Sequence, residues 1–110
     1  MKLLYGRGLA LKTAIVTDGR FSGTNNGCFI GHISPEAMEG GPIALVTDGD
    51  IIAIDIPGKR LDLKVTEEEL DRRRMQWKPP APRVNSGYLY LYSQLAESAD
   101  KGAIIRTRAD

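Results

Sequence analysis

A chain of 110 residues fits one domain with a modest core and is short for an enzyme that also carries its own cofactor-binding half. Fifteen Lys and Arg stand against fourteen Asp and Glu, a formal net charge of +1, so no strong field draws the chain onto nucleic acid or anionic lipid. Apolar runs such as Ile43-Ala44-Leu45-Val46 are strand-sized, far below the ~20 residues of a spanning helix, and with no signal-peptide apolar region the reading is a soluble, cytoplasmic domain that contacts neither membrane nor nucleic acid.

The run Thr13-Ala14-Ile15-Val16-Thr17 is rich in β-branched residues and closes on Asp18-Gly19, which predicts a buried strand over Lys12 to Thr17 ending in a tight turn. From Gly19 to Gly31 the glycines at 19, 23, 27 and 31, with Thr24-Asn25-Asn26, predict a loop shaped by backbone freedom. Ser34 as N-cap and Pro35 at the first helical position predict a short helix over 35–39, ended by Gly40-Gly41. Strands are then expected at Ile43–Thr47, Ile51–Ile56 and Arg60–Val65, joined through Asp48-Gly49-Asp50 and Pro57-Gly58 into an antiparallel meander.

Thr66-Glu67-Glu68-Glu69 is a capping box, and the helix it opens should run to about Trp77, before Pro79-Pro80 and Pro82 forbid continuation. Arg72-Arg73-Arg74 in its later turns fits a solvated, dipole-complementing face better than a ligand site. Tyr88, Leu91, Tyr92, Leu95, Ala96 and Ala99 recur at helical spacing and predict a last helix over Ser86–Ala99.

Ser22 lies between Phe21 and Gly23 just past a strand end, where open α/β and barrel folds display reactive groups. Two readings stand on the residues alone: a serine that bonds its own turn, and a reactive serine. The first fits better, because residue 20 is Arg, so Gly-x-Ser-x-Gly is absent, and no acid completes a triad with His32, the only imidazole. His32 itself fits a structural donor beside a helix start. Asp18 and Arg20, flanking Gly19, admit an internal ion pair, simple exposure, or an arginine free to hold a carboxylate bidentately. The phosphate-binding glycine fingerprints are missing, and Cys28, the single cysteine, fits an apolar filler and permits neither an internal disulfide nor a thiolate metal site.

Several strings together resemble the C-terminal domain of the dihydroxy-acid dehydratases and the related sugar-acid (aldonate and 6-phosphogluconate) dehydratases. They are Thr17-Asp18-Gly19-Arg20-Phe21-Ser22-Gly23, Ile30-Gly31-His32-Ile33-Ser34-Pro35-Glu36-Ala37, Gly40-Gly41-Pro42-Ile43-Ala44-Leu45-Val46 and Asp48-Gly49-Asp50-Ile51-Ile52. Glu68-Glu69-Leu70, Arg72-Arg73-Arg74, Trp77-Lys78-Pro79-Pro80, Gly87-Tyr88-Leu89 and Ser98-Ala99-Asp100-Lys101-Gly102-Ala103 follow collinearly, so the resemblance covers almost the whole chain. It implies a mixed α/β, swivelling β-barrel-like domain with flanking helices over residues 1–110, similar to the mobile domain of aconitase-type dehydratases, packed on a separate N-terminal cluster-binding domain that these residues do not include.

The same resemblance implies that Ser22 is the catalytic base, taking the proton from the carbon next to the substrate carboxylate, with Arg20, Gly23 and Thr24 binding a small dihydroxy-acid substrate. An iron–sulfur cluster would bind the leaving hydroxyl, and magnesium would hold the carboxylate and help Ser22 ionise; neither is expected on this chain itself. Family loops commonly read Ser-Gly-Gly-Thr or Ser-Gly-Ala-Thr, whereas here Ser22-Gly23 leads into Thr24-Asn25-Asn26. The expected role is therefore part of a homo-oligomeric dihydroxy-acid dehydratase of branched-chain amino-acid biosynthesis. A sugar-acid dehydratase domain, a separately encoded small subunit, and a binding module that kept the fold without the chemistry are the competing readings. Purified residues 1–110 with no other polypeptide are expected to leave a 2,3-dihydroxy acid untouched in a keto-acid assay, and turnover within the usual range of roughly 1–1000 per second would overturn this.

Overall fold

The computed structural model describes residues 2–23 and 26–106. In chain order it contains helix α1 (Lys2–Gly6), strands β1 (Ala14–Val16) and β2 (Cys28–Ile30), strands β3 (Ile52–Asp55) and β4 (Arg60–Leu63), and helices α2 (Glu67–Gln76) and α3 (Gly87–Leu95), with single 3-10 turns at Ala37–Glu39, Pro42–Leu45 and Ala99–Lys101. The architecture is mixed α/β. The strands form two separate two-stranded sheets, β1 with β2 parallel and β3 with β4 antiparallel, and among the described residues these do not close into a barrel.

The β-branched run after Lys12 forms a strand, but over Ala14–Val16 only and half-buried rather than buried, and its parallel partner lies within the stretch expected to be loop. Cys28-Phe29-Ile30 is too short an apolar run to stand out between glycines, and its register (Ala14 with Cys28, Ile15 with Phe29, Val16 with Ile30) is fixed from outside. The Phe29 ring lies 5.5 Å from that of Phe21 and 6.4 Å from that of Tyr5. Gly27 makes the approach possible at φ 138°, since a Cβ there would stand 2.7 Å from the Ala10 carbonyl oxygen.

Two further expectations are corrected. The turn at Ala37–Glu39 starts after Glu36, not at Pro35, whose peptide bond to Ser34 is cis. Its first amide, Ala37 N, is capped by the Asp18 carboxylate at 2.8 Å rather than by Ser34, whose hydroxyl donates to the His32 carbonyl at 3.3 Å. Residues Pro42–Leu45 form a 3-10 turn, not a strand, because Pro42 has no amide donor and its fixed φ suits the first position of a helical turn. The expected meander is therefore one hairpin. Within it Ile52 faces Leu63 and Ile54 faces Leu61 on one side, while Asp55 faces Arg60 and Ala53 faces Asp62 on the other.

Helix α2 begins at the Thr66 cap, whose hydroxyl oxygen accepts from Glu69 N at 3.4 Å. The return bond from Glu69 to the Thr66 amide does not form, because the Glu69 carboxylate takes Arg72 Nε at 2.7 Å and Arg73 Nε at 2.8 Å instead. Arg73 also grips Asp50 with its two terminal guanidinium nitrogens, at 2.5 and 3.1 Å, and donates from Nη1 to the Leu45 carbonyl at 2.9 Å. With only 15% of its side chain exposed, Arg73 departs from the solvated face expected of all three arginines. It clamps α2 onto the turn at Leu45, the most buried hydrophobic residue described.

Helix α3 ends four residues earlier than its spacing suggests, because Ala96 leaves the helix to bridge Ile105. Its apolar side chains stay in solvent, Tyr88 being 77% and Leu89 64% exposed. Ala10 and Leu45 are the only buried hydrophobic residues described, and the radius of gyration is 16.5 Å. A compact chain of this length would have ~13 Å.

The Arg73 clamp sets a pH dependence. The guanidinium of Arg73 holds the Asp50 carboxyl at about 2, against an ordinary 3.8, and those of Arg72 and Arg73 hold Glu69 at about 2, against 4.5. Both folded values are depressed, so their contribution to stability is complete above about pH 4.5 and is lost as pH falls toward about 2. Thermal unfolding followed by circular dichroism should show a midpoint that drops across that window, and Arg73→Met should flatten the drop.

Candidate active site

Strand β1 delivers the chain to Thr17, and the backbone stays tied for two residues more. Thr17 N donates to the Ile30 carbonyl at 2.9 Å, Ile33 N donates to the Thr17 carbonyl at 3.1 Å, and His32 N donates to the Gly19 carbonyl at 3.0 Å. The Thr17 hydroxyl oxygen accepts from Gly19 N at 3.0 Å, closing the turn. Gly31 lets the two strands approach here, because a Cβ would sit 3.2 Å from the Gly19 carbonyl oxygen and 3.3 Å from the Phe21 ring.

Beyond Gly19 the segment divides by residue type. Phe21 turns inward against Phe29, which anchors the loop, while Arg20, Ser22 and Gly23 are exposed and Gly23 turns the chain at φ 67°. Among the described residues neither Ser22 nor Arg20 forms a hydrogen bond or ion pair. Asp18 does not pair with Arg20; its carboxylate is committed to Ala37 N. Thr24 lies outside the described residues.

His32 and Ser22, the two groups of a conceivable nucleophile–base pair, are not hydrogen-bonded to each other among the described residues. His32 sits at φ 58° and lines a different feature, an apolar cleft of about 330 Å³ whose walls include Val16, Ile43, Val46, Ile52 and Leu61. Ser22 does not line that cleft. The loop is thus braced at its root and exposes the Ser22 hydroxyl and the Arg20 guanidinium.

Glu36 is a site-supporting residue that the sequence pattern does not single out. It accepts from the Ser98 hydroxyl in a short hydrogen bond and from Ala99 N at 2.8 Å. These bonds, the Ala99 amide foremost, hold its carboxyl below the usual carboxylate range. The partners are 62 and 63 residues away in the chain, a separation that no local spacing rule addresses. Asp18 and Glu36 together fasten the end of β1, the Ala37 turn and the C-terminal segment to one another.

The chemistry of the donor set bears on the cofactors implied by the resemblance. Among the described residues no group of three or more His, Cys, Asp or Glu side chains is placed to hold a metal ion. Among the described residues the side chains present do not fit an iron–sulfur cluster or a magnesium ion. No helix among the described residues is long and apolar enough to cross a membrane.

A sequence model of the family described as dihydroxy-acid/6-phosphogluconate dehydratase, C-terminal, matches residues 1–103. The chain belongs to this family. Over 97% of its length it is 55% identical to the dihydroxy-acid dehydratase of Lachnospira eligens, and over 94% it is 59% identical to that of Pyrococcus furiosus. The chain spans about a fifth of the length of these relatives, 19% and 18% respectively.

The brace on the loop can be tested directly. Asp18→Ala removes the acceptor of a partly buried amide and should lower stability by about 1–3 kcal/mol in a urea titration, with α2 melting as before. An unchanged urea midpoint would show that the Ala37 amide does not depend on Asp18.

Proposed function

We propose that this chain is the C-terminal swivelling part of a dihydroxy-acid dehydratase and contributes the catalytic base to an active site completed by other polypeptide. The observation that carries the reading is the exposed Ser22 two residues from the exposed Arg20, both free of hydrogen bonds and ion pairs among the described residues, on a loop whose root is pinned by five hydrogen bonds through Thr17, Gly19 and Asp18. A serine kept for structure would be expected to bond its own turn. The similarity to proteins named dihydroxy-acid dehydratase supports the substrate class.

In this reading Arg20 holds the carboxylate of a 2,3-dihydroxy acid with two N–H donors, setting C2 of the substrate near the Ser22 oxygen. The Ser22 oxygen, entering as the alkoxide, takes the proton from C2 as the C3–O bond breaks and hydroxide leaves; Ser22 then returns that proton to the hydroxide, so that water is lost overall, Ser22 is again the alkoxide, and the enol tautomerises to the 2-keto acid. An unassisted serine is too weak a base for this, and no base stands beside it among the described residues. The iron–sulfur cluster and magnesium ion implied by the family resemblance would be held outside this chain, as would the second face of the site. Branched-chain amino-acid biosynthesis, a cytoplasmic location and a homo-oligomeric whole enzyme follow from the same reading.

The test uses a chimera in which residues 1–110 replace the matching part of the Lachnospira eligens dehydratase. It should dehydrate a 2,3-dihydroxy acid, and Ser22→Ala in that background should lower kcat by roughly 100-fold or more, as expected for loss of a general base. Arg20→Met should mainly raise KM. Activity that survives Ser22→Ala removes Ser22 from the base role, and a chimera that prefers a sugar acid moves the substrate class to the other branch of the family.

A further inference from the structure

The Ser22 hydroxyl sits one bond beyond Cβ, so it moves little unless the backbone moves with it. Arg20 differs, because its long flexible stem lets the guanidinium follow a backbone shift. Whatever fixes the backbone from Gly19 to Gly23 therefore fixes the serine oxygen more tightly than the guanidinium.

The bonds at the root of this loop fall into two groups. The amides of Thr17, His32 and Ile33 pair Thr17 and Gly19 with residues 30–33, all on the one neighbouring segment that continues β2. Phe21 packs toward the same neighbour, its ring 5.5 Å from that of Phe29. Ties to a single neighbour leave the root free to tilt. Asp18 reaches elsewhere: its carboxylate accepts from Ala37 N at 2.8 Å, a half-buried pair 19 residues apart. The donor is fixed in turn, because the adjoining Glu36 accepts from the Ser98 hydroxyl and from Ala99 N at 2.8 Å. Among the described residues, the Asp18 bond is the hydrogen bond that ties the segment carrying Ser22 to the Ala37–Glu39 turn and, through Glu36, to the C-terminal segment behind it.

We propose that Asp18 is a positioning residue for the dehydration: through the Ala37 amide it sets the backbone of residues 19–23, and with it the place of the Ser22 oxygen against C2 of the substrate. The proposal rests on the reading of Ser22 as the base and deepens it. Asp18 touches no reacting atom in this role. It serves as a hydrogen-bond acceptor, so a neutral acceptor of the same shape should replace it.

The test uses the Lachnospira eligens chimera, with each variant assayed well below its unfolding midpoint. Asp18→Ala should lower kcat by ~10–100-fold and change KM by less than about 3-fold, since a misplacement of about 1 Å costs on the order of 100-fold in rate. Asp18→Asn, which keeps an oxygen for the Ala37 amide, should restore most of that loss. Ala37→Pro removes the same bond from the donor side. Proline suits the first position of a helical turn, and Glu36 before it is already extended at ψ 161°. Ala37→Pro should reproduce the loss seen in Asp18→Ala, and the double variant should be no slower than either, because one bond is removed twice. Arg73→Met, which weakens the fold at the α2 clamp, should lower the unfolding midpoint and leave kcat unchanged.

An unchanged kcat in Asp18→Ala or in Ala37→Pro overturns the proposal. So does an Asp18→Asn variant as slow as Asp18→Ala, which would make Asp18 a reacting group, and so does an equal loss of kcat in Arg73→Met, which would make the effect one of stability. Hydrogen exchange gives a readout independent of turnover: the amides of His32 and Ile33 should exchange ~10-fold faster in Asp18→Ala, and equal exchange overturns the proposal. Activity that survives Ser22→Ala removes the base reading, whereas an inactive Ser22→Ala chimera with full activity in Asp18→Ala removes the positioning role alone.

Discussion

Two carboxylates, Asp18 and Glu36, stand where three segments of the chain meet. Asp18 takes the amide of Ala37, and Glu36, the residue just before it, takes the hydroxyl of Ser98 and the amide of Ala99. Backbone amides and a hydroxyl offered to a charged acceptor make stronger bonds than neutral pairs do. The end of β1, the Ala37–Glu39 turn and the C-terminal 3-10 turn are thus held by polar bonds at a place where little apolar burial assists. The position of the Ser22 loop depends on this junction, because the loop begins just past Gly19, the residue after Asp18.

Polar fastening is prominent because the apolar core is thin. Ala10 and Leu45 are the buried hydrophobic residues described, while Leu89, Leu91 and the tyrosines of α3 face solvent. Leu45 is itself secured by the Arg73 guanidinium, which binds its carbonyl and the Asp50 carboxylate together. A chain of this size normally draws its stability from one contiguous core. Here apolar side chains that would make one line an open cleft instead.

The same division runs through the site. Ser22 and Arg20 are exposed on a braced loop, and among the described residues neither forms a hydrogen bond or ion pair and no group of three or more His, Cys, Asp or Glu side chains is placed to hold a metal ion.

Local signals in the sequence were sufficient where a decision depends on neighbouring residues. The capping box at Thr66 fixes the start of α2, the left-handed glycine at 40 ends the short turn, and the Pro57-Gly58 pair sets the hairpin of β3 and β4. The family could likewise be read from collinear motifs, because a motif is a local pattern. Three outcomes needed the tertiary structure. Strand β2 exists because Phe29 packs on Phe21 and Tyr5; Pro42–Leu45 is a helical turn because Pro42 opens it and Arg73 holds its last carbonyl; Glu36 meets Ser98 across 62 residues. Each turns on a partner distant in sequence, whose contribution outweighs the weak intrinsic preference of a three- or four-residue segment. The sequence by itself therefore determined the family and the glycine-rich loop that follows β1, and only the tertiary structure decided how that loop is held and which apolar faces remain uncovered.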